Sequence, residues 1–336
     1  MQSMPIALWV VVMLVALALL FDFMNGFHDA ANSIATVVST GVLKPTQAVA
    51  FAAFFNIVAI FVFHLQVAAT VGKGIVTPGV VDQYVIFGAL VGAIAWNLFT
   101  WWFGIPSSSS HALIGGIVGA TMAKAGTGPL IASGLLKTVA FIFVSPVLGF
   151  LLASLLMVAV SWICLRWSPL RVDNVFRRLQ LVSAGMYSLG HGGNDAQKTI
   201  GVIWLLLIAA GHTNAADRMP PAWVIWCCYM AIGLGTMFGG WRIVKTMGQR
   251  ITKLKPVGGF CAETGGAATL FLASALGIPV STTHTITGAI FGVGSVRNAS
   301  AVRWGLAGHI VTAWIFTIPA TALIAALFYG ISRFVF

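Results

Sequence analysis

Charge is the scarcest property of this sequence. Only 7% of its 336 residues are Asp, Glu, Lys or Arg and 59% are hydrophobic, whereas soluble domains carry roughly 25% charged residues. So few polar side chains cannot cover a water-soluble globule, which excludes soluble enzymes, nucleic-acid binders and disordered chains as readings of the whole. Acid is scarcer still: 7 Asp and Glu stand against 18 Lys and Arg, and Glu263 is the sole glutamate. The net charge of +11 therefore belongs to loops facing a membrane surface, not to a nucleic-acid patch. Cys164, Cys227, Cys228 and Cys261 lack the paired spacing of a zinc site and read as small buried hydrophobes. Residues 1–8 contain no Lys or Arg, so the run from Pro5 to Phe21 reads as a first membrane helix, not a cleavable signal.

Long apolar runs are what the chain has instead. They lie near 5–24, 46–72, 83–104, 111–123, 131–165, 181–189, 199–211, 221–241, 256–278, 285–296 and 304–332. A spanning helix needs about 20 apolar residues, so the expected fold is all-α: a polytopic membrane protein of about ten to twelve transmembrane or half-membrane helices. Runs that are too short, or broken by Gly and Pro, are tolerated in a bilayer only where protein or a water-filled cavity satisfies their backbone, so they mark the place to seek a site. Arg166, Arg171, Arg177 and Arg178 form one basic group, and Arg242, Lys245, Arg250, Lys253 and Lys255 another. Both are expected in cytoplasmic loops, with two helices between them joined by the polar segment Gly211 to Pro221.

The chain also repeats itself. Gly104-Ile105-Pro106-Ser107-Ser108-Ser109-Ser110-His111 returns as Gly277-Ile278-Pro279-Val280-Ser281-Thr282-Thr283-His284, 173 residues on, and Pro146 returns as Pro319 at the same offset. Upstream, the segment from Gly26 to Ile34 returns as Gly192 to Ile200 at an offset of 166. The expected organisation is a first transmembrane repeat at 1–165, a basic cytoplasmic linker at 166–180 and a second repeat at 181–336. If each repeat crosses an odd number of times, the two are inverted, as in many secondary transporters.

On a helix, Asp22, Asn25, Asp29, Asn32 and Thr36 form one polar stripe, and Ser188, His191, Asp195 and Lys198 form its counterpart. A carboxylate at membrane depth costs about 2.5–3.5 kcal/mol even on lenient scales unless it faces a cavity or a partner. Two carboxylates at equivalent positions therefore point to function, although each could instead pair with a buried Lys or His to lock helices together. The second motif pair places Ser and Thr after Ile-Pro. Proline disfavours helix in the residue before it and Ser or Thr favours an N-cap, so both clusters read as helix N-termini inside the membrane. Free N–H groups, the positive end of the helix dipole and several hydroxyls converge there, which suits a tetrahedral oxyanion. The bland alternative is hydroxyls that merely cap their own helices.

These motifs resemble those of the inorganic phosphate transporter (PiT) family. Its Gly-x-Asn-Asp-x-x-Asn type signature appears as Asn25-Gly26-Phe27-His28-Asp29-Ala30-Ala31-Asn32 and as Gly192-Gly193-Asn194-Asp195-Ala196-Gln197-Lys198, and Pro-x-Ser-Ser/Thr-Ser/Thr-His stands in both halves. His28 in place of Asn, together with Gln197-Lys198, resembles the bacterial low-affinity, proton-linked branch. The chain also lacks the long hydrophilic insert that many members carry between the halves, residues 166–180 being all that remains of it. The resemblance implies a symporter importing inorganic phosphate across a bacterial inner membrane by alternating access, with protons or as a divalent metal-phosphate complex. No tightly bound cofactor is implied; the coupling ion is H+ or Na+, with Mg2+ or another divalent cation accompanying phosphate. The implied partners are phosphate, that cation, the lipid bilayer and, as an alternative to a monomer, a second copy of the chain.

The roles that follow place Ser107, Ser108, Ser109, Ser110, Ser281, Thr282, Thr283, Gln197 and Lys198 on phosphate. Asp22, Asn25, Asp29, Asn32, Asn194, Asp195 and Glu263 serve coupling, Asp29 and Asp195 also being candidate metal ligands. Lys198 either neutralises the anion or pairs with Asp195. His28, His111, His191 and His284 are candidates to titrate or bind metal, with packing as the plainer role. Glu263 resembles a Glu tied to coupling in eukaryotic members, the alternative being an interfacial pair with Lys253 or Lys255. Asn56 stands where such members carry a second Glu, which weakens a sodium scheme needing both acids. Competing readings are a sulfate or other oxyanion permease, sodium-coupled phosphate symport, a metal transporter and an intramembrane hydrolase. The last is disfavoured because its Ser-His pairs are duplicated, whereas a catalytic site converges once from separate segments.

Overall fold

A computed structural model describes residues 6–335; Pro5, where the first apolar run opens, lies outside them. Among the described residues the chain forms twelve α-helices: α1 (Leu8–Ser39), α2 (Pro45–Val58), α3 (Gln66–Lys73), α4 (Gln83–Phe103), α5 (Ser109–Ala125), α6 (Ala132–Ile163), α7 (Pro169–Ala209), α8 (Ala222–Phe238), α9 (Trp241–Lys245), α10 (Pro256–Ala275), α11 (Thr282–Asn298) and α12 (Trp304–Val335). The all-α, polytopic expectation holds. α1, α4, α6 and α12 are each long and apolar enough to cross a membrane, and two bent pairs bring the count to six.

The element order doubles: a long helix, a bent pair, a further helix, a 17-residue half-helix, and a long helix with an internal proline, Pro146 in α6 and Pro319 in α12. The two bends have different causes. Between α2 and α3 the axis turns by 82° without glycine or proline at the break. The new N-terminus is held there by Gln197 Oε1, which accepts from the N–H groups of Val67 (3.0 Å) and Ala68 (3.3 Å). In the second pair the 61° turn falls at Gly239-Gly240, and α9 runs on into a π-helical turn at Thr246–Arg250.

Two sequence expectations need correction. The 166–180 segment is not a loop: helix begins at Pro169, where Ser168 accepts from Arg171 N–H and proline fits the first helical position. It then runs 41 residues to Ala209. Apolar runs 181–189 and 199–211 are parts of this one helix, divided in the hydropathy pattern only by the polar stretch between them. The second basic group likewise lies largely on helical turns, not in an open loop. All four cysteines are free, and Cys164 and Cys227 are only half-buried.

The halves interlock. α6 packs along α11 and α12 along α5, so each half-helix is gripped by the last long helix of the other half. Small residues four apart allow this approach. A Cβ at Gly288 or Gly292 would fall 2.2 Å from Pro146 O or 2.4 Å from Phe150 O, and at Gly115 or Gly119 2.8 Å from Ile318 O or 2.2 Å from Ala322 O.

Candidate substrate and coupling site

The local geometry of the site starts at two matched turns. Gly104 closes α4 and Gly277 follows α10, at φ of +65° and +67°, a region that favours glycine because it lacks a Cβ. Each turn returns a backbone bond, Ile105 N–H to Thr100 O and Ile278 N–H to Ala273 O, both 2.9 Å. Pro106 and Pro279 then keep the chain extended until Ser108 and Ser281 cap the half-helices, accepting from His111 N–H (3.2 Å) and His284 N–H (3.1 Å). The first-turn N–H groups of Ser109, Ser110, Thr282 and Thr283 have no acceptor within their helices. The His111 and His284 rings lie 4.7 Å apart between centroids, so the two N-termini meet. Residues 107–111 and 281–284 are all buried.

The polar stripe of α1 is buried beside them. His28 Nδ1 lies 2.6 Å from Asp29 Oδ1, and its Nε2 lies 3.1 Å from Thr100 Oγ1, which also accepts from Ser107 Oγ at 2.9 Å. Asp29 thus reaches the Ser107 to Ser110 cluster through two intervening side chains, His28 and Thr100. Asn32 crosses to the other cluster, its Nδ2 donating to Thr283 Oγ1 (2.9 Å) and Thr282 Oγ1 (3.2 Å). One turn or two earlier, Asp22 Oδ1 accepts from Thr199 Oγ1 of α7 at 2.9 Å.

On α7 the counterpart carboxylate keeps closer company. Asp195 Oδ2 accepts from Thr282 Oγ1 at 3.1 Å, and Asp195 Oδ1 lies 2.5 Å from Lys198 Nζ. The same ammonium donates to Ser110 Oγ and, at 2.7 Å, to Val280 O. His191 Nδ1 lies 3.3 Å from Asp195 Oδ2 but off hydrogen-bonding alignment. Lys198 pairs with Asp195 and touches the hydroxyl cluster at once, so its two sequence alternatives are not exclusive.

Three sequence assignments move. Asn194 serves structure: it donates to Ser274 Oγ (3.0 Å) and Ile278 O (3.3 Å) and accepts from Val280 N–H (3.2 Å), fastening the turn that leads into α11. Gln197 caps α3 and donates its amide to Gly193 O at 2.7 Å, backbone partners that lie outside the hydroxyl clusters. Glu263 is fully buried and accepts from Gln180 Nε2 (3.0 Å) and Ser183 Oγ (2.5 Å), with no partner in Lys253 or Lys255. Asn56, also buried, donates to Thr236 Oγ1 at 2.9 Å.

Thr100 and Tyr187, whose hydroxyl donates to Thr282 O at 2.8 Å, were missed from sequence. Both lie inside runs read as apolar packing; the one signal available was Thr100 one turn ahead of the Gly104 turn. Buried polar atoms without a protein partner gather in the same region: Asn25 Oδ1, Asn32 Oδ1, Ser109 Oγ and all four ring nitrogens of His111 and His284. Buried polar atoms are ordinarily satisfied by protein, ordered water or a ligand. The free ring nitrogens also mean that neither Ser-His pair forms the hydrogen bond of an activated nucleophile. Among the described residues no three His, Cys, Asp or Glu converge to hold a metal ion.

The sequence model described as "Phosphate transporter family" matches residues 25–325, which enclose both motif pairs. The chain belongs to the phosphate transporter family. Among relatives of this family member, a Rhizobium meliloti (strain 1021) protein named "Probable low-affinity inorganic phosphate transporter" is 63% identical over 94% of each chain. A Bacillus subtilis (strain 168) protein of the same name is 45% identical over 99% of this chain and all of its own. Among solved structures, one titled "The sodium-dependent phosphate transporter" superposes with a TM-score of 0.89 at 26% identity, covering 98% of this chain and 100% of that one. The family and these relatives are transporters, not enzymes.

Proposed function

We propose that the chain is a secondary transporter importing inorganic phosphate by alternating access, with two inverted halves rocking about the junction of α5 and α11. The observation that carries this reading is the meeting of two buried half-helix N-termini, one from each half, between two carboxylates. Unpaired N–H groups and the hydroxyls of Ser109, Ser110 and Thr283 supply donors on both sides of a tetrahedral anion, at the positive ends of two helix dipoles. A bare anion beside Asp29 and Asp195 would be repelled, so a cation must accompany it. Asp29, with Asn25 and Asn32 nearby, is suited to a mobile proton or metal cation, and a divalent ion entering with phosphate would serve the same end.

The low-affinity names and bacterial origin of the relatives support placement in a bacterial inner membrane, with the basic start of α7 on the cytoplasmic side. Phosphate is favoured over sulfate because Asp195 beside Thr282 offers an acceptor for a P–OH proton that sulfate near neutral pH lacks. The test is labelled phosphate uptake into proteoliposomes with a pH gradient, a sodium gradient or magnesium imposed one at a time, and with sulfate as competitor. Uptake driven by one of these and resistant to sulfate is expected; no uptake under any of them, or equal competition by sulfate, would overturn the reading.

A further inference from the structure

We infer that Lys198 is a built-in cation of the second half: its ammonium holds, on a tether, the place that a mobile coupling cation takes beside Asp29. The cycle then binds one mobile cation where two equivalent halves would bind two. This deepens the phosphate-symport reading and rests on it.

The repeat itself sets up the comparison. At the 166-residue offset Asp29 corresponds to Asp195 and Asn32 to Lys198. Both later residues do the same geometric task, reaching from a long helix to the hydroxyl cluster of the opposite half: Asn32 to Thr282 and Thr283, Lys198 to Ser110. They differ in length and in charge, Asn32 bringing a neutral amide and Lys198 an ammonium. Among the described residues no Lys or Arg forms an ion pair with Asp29, whose partner is His28, whereas Asp195 has the ammonium at 2.5 Å.

The surroundings of Nζ strengthen the assignment. Its three oxygen neighbours are a carboxylate (Asp195), a main-chain carbonyl (Val280) and a hydroxyl (Ser110). That is the donor set from which sites for hard cations are assembled, and three acceptors match the three protons of an ammonium. Nζ also touches the hydroxyl cluster, so its charge lies beside both Asp195 and the proposed anion site, where a coupling ion would have to be. Unlike a coupling ion, it cannot leave with the cargo.

The test is to make the halves alike. Lys198→Asn gives the second half the residue of the first. Without sodium, uptake by K198N is expected about a hundredfold or more below wild type, because Asp195 is left buried and unpaired. With saturating sodium it should recover to within roughly tenfold of wild type, the removed charge being replaced from solution. Purified K198N should also gain thermal stability with sodium where wild type does not, a readout independent of transport. Uptake by K198N that is normal without sodium, or folded K198N that neither recovers nor is stabilised, would overturn the inference. Should K198N not fold, wild type decides: the reversal of uptake against opposed cation and phosphate gradients should give one coupling cation per phosphate, and two would overturn it. Absence of wild-type phosphate uptake would instead count against the transport reading, leaving the stabilisation assay to judge Lys198.

Discussion

Asp29 and Asp195 occupy corresponding places in a duplicated chain, yet one is bonded to a neutral-capable imidazole and the other to an ammonium. The path from each carboxylate to its own half-helix differs as well. Asp29 reaches α5 through His28, Thr100 and Ser107, while Asp195 accepts directly from Thr282 at the start of α11. Duplication thus supplied two matched half-helix starts, while differences such as His28 against Asn194 and Asn32 against Lys198 gave the two carboxylates unlike surroundings. The lesson is that the backbone of a repeat can stay matched while the charge economy of its halves diverges.

The largest effect that would test this difference is expected from Asp195→Asn. It leaves the Lys198 ammonium buried among neutral acceptors with no countercharge, and breaking such a pair typically costs about 3–5 kcal/mol. Thermal unfolding in detergent should show a marked loss of stability, together with loss of uptake. Asp29→Asn should also abolish uptake, but at a stability cost of about 1 kcal/mol, the scale of one hydrogen bond, because His28 can bond an amide oxygen instead. Equal destabilisation by the two variants would erase the proposed asymmetry, and near-normal uptake in both would remove the carboxylates from coupling altogether.

A smaller effect is expected where the halves are alike. Ser109→Ala combined with Thr282→Ala removes one hydroxyl from each cluster, at about 0.5–1.5 kcal/mol apiece. Phosphate binding should weaken by roughly tenfold or somewhat more, measured as the concentration giving half-maximal uptake, with less change in the dependence on the coupling cation. Equal losses for anion and cation would argue that the clusters and carboxylates form one undivided site.

What could be read from the sequence was what local chemistry dictates. Gly-Ile-Pro followed by Ser or Thr specifies a turn, an extended step and an N-cap within eight residues, so both half-helix starts were legible, as was the stripe of α1. The continuity of α7 was not, because a hydropathy scan divides a helix wherever its buried face is polar, and residues 191–198 carry buried polar side chains. Asn194 and Gln197 were misassigned for a related reason: a side-chain amide can serve a ligand or a remote backbone equally well, and only the fold shows that Val67, Ala68 and Val280 are within reach. The interlocking of α6 with α11 and α12 with α5 is likewise a property of the packing; spaced glycines on α5 and α11 hint at close approach without naming the partner.

The smallest predicted effect separates structure from substrate in that revised assignment. Gln197 corresponds to Ala31 in the first half, so the side chain that caps α3 has no counterpart doing the same for the second bent pair, which turns at Gly239-Gly240. Gln197→Ala should remove the acceptor for two backbone N–H groups at the start of α3 and cost about 0.5–2 kcal/mol, as loss of a helix cap does. α3 in turn touches the turn before α11, since Thr70 Oγ1 donates to Gly277 O at 2.7 Å. Loosening α3 is therefore expected to lower the maximal rate of uptake while the half-saturating phosphate concentration stays within about twofold of wild type, far less than the roughly tenfold loss from removing hydroxyls that face the anion. A large rise in that concentration, with thermal stability unchanged, would return Gln197 to the anion site and make the second half's motif a phosphate ligand, not a clasp on the first half's broken helix.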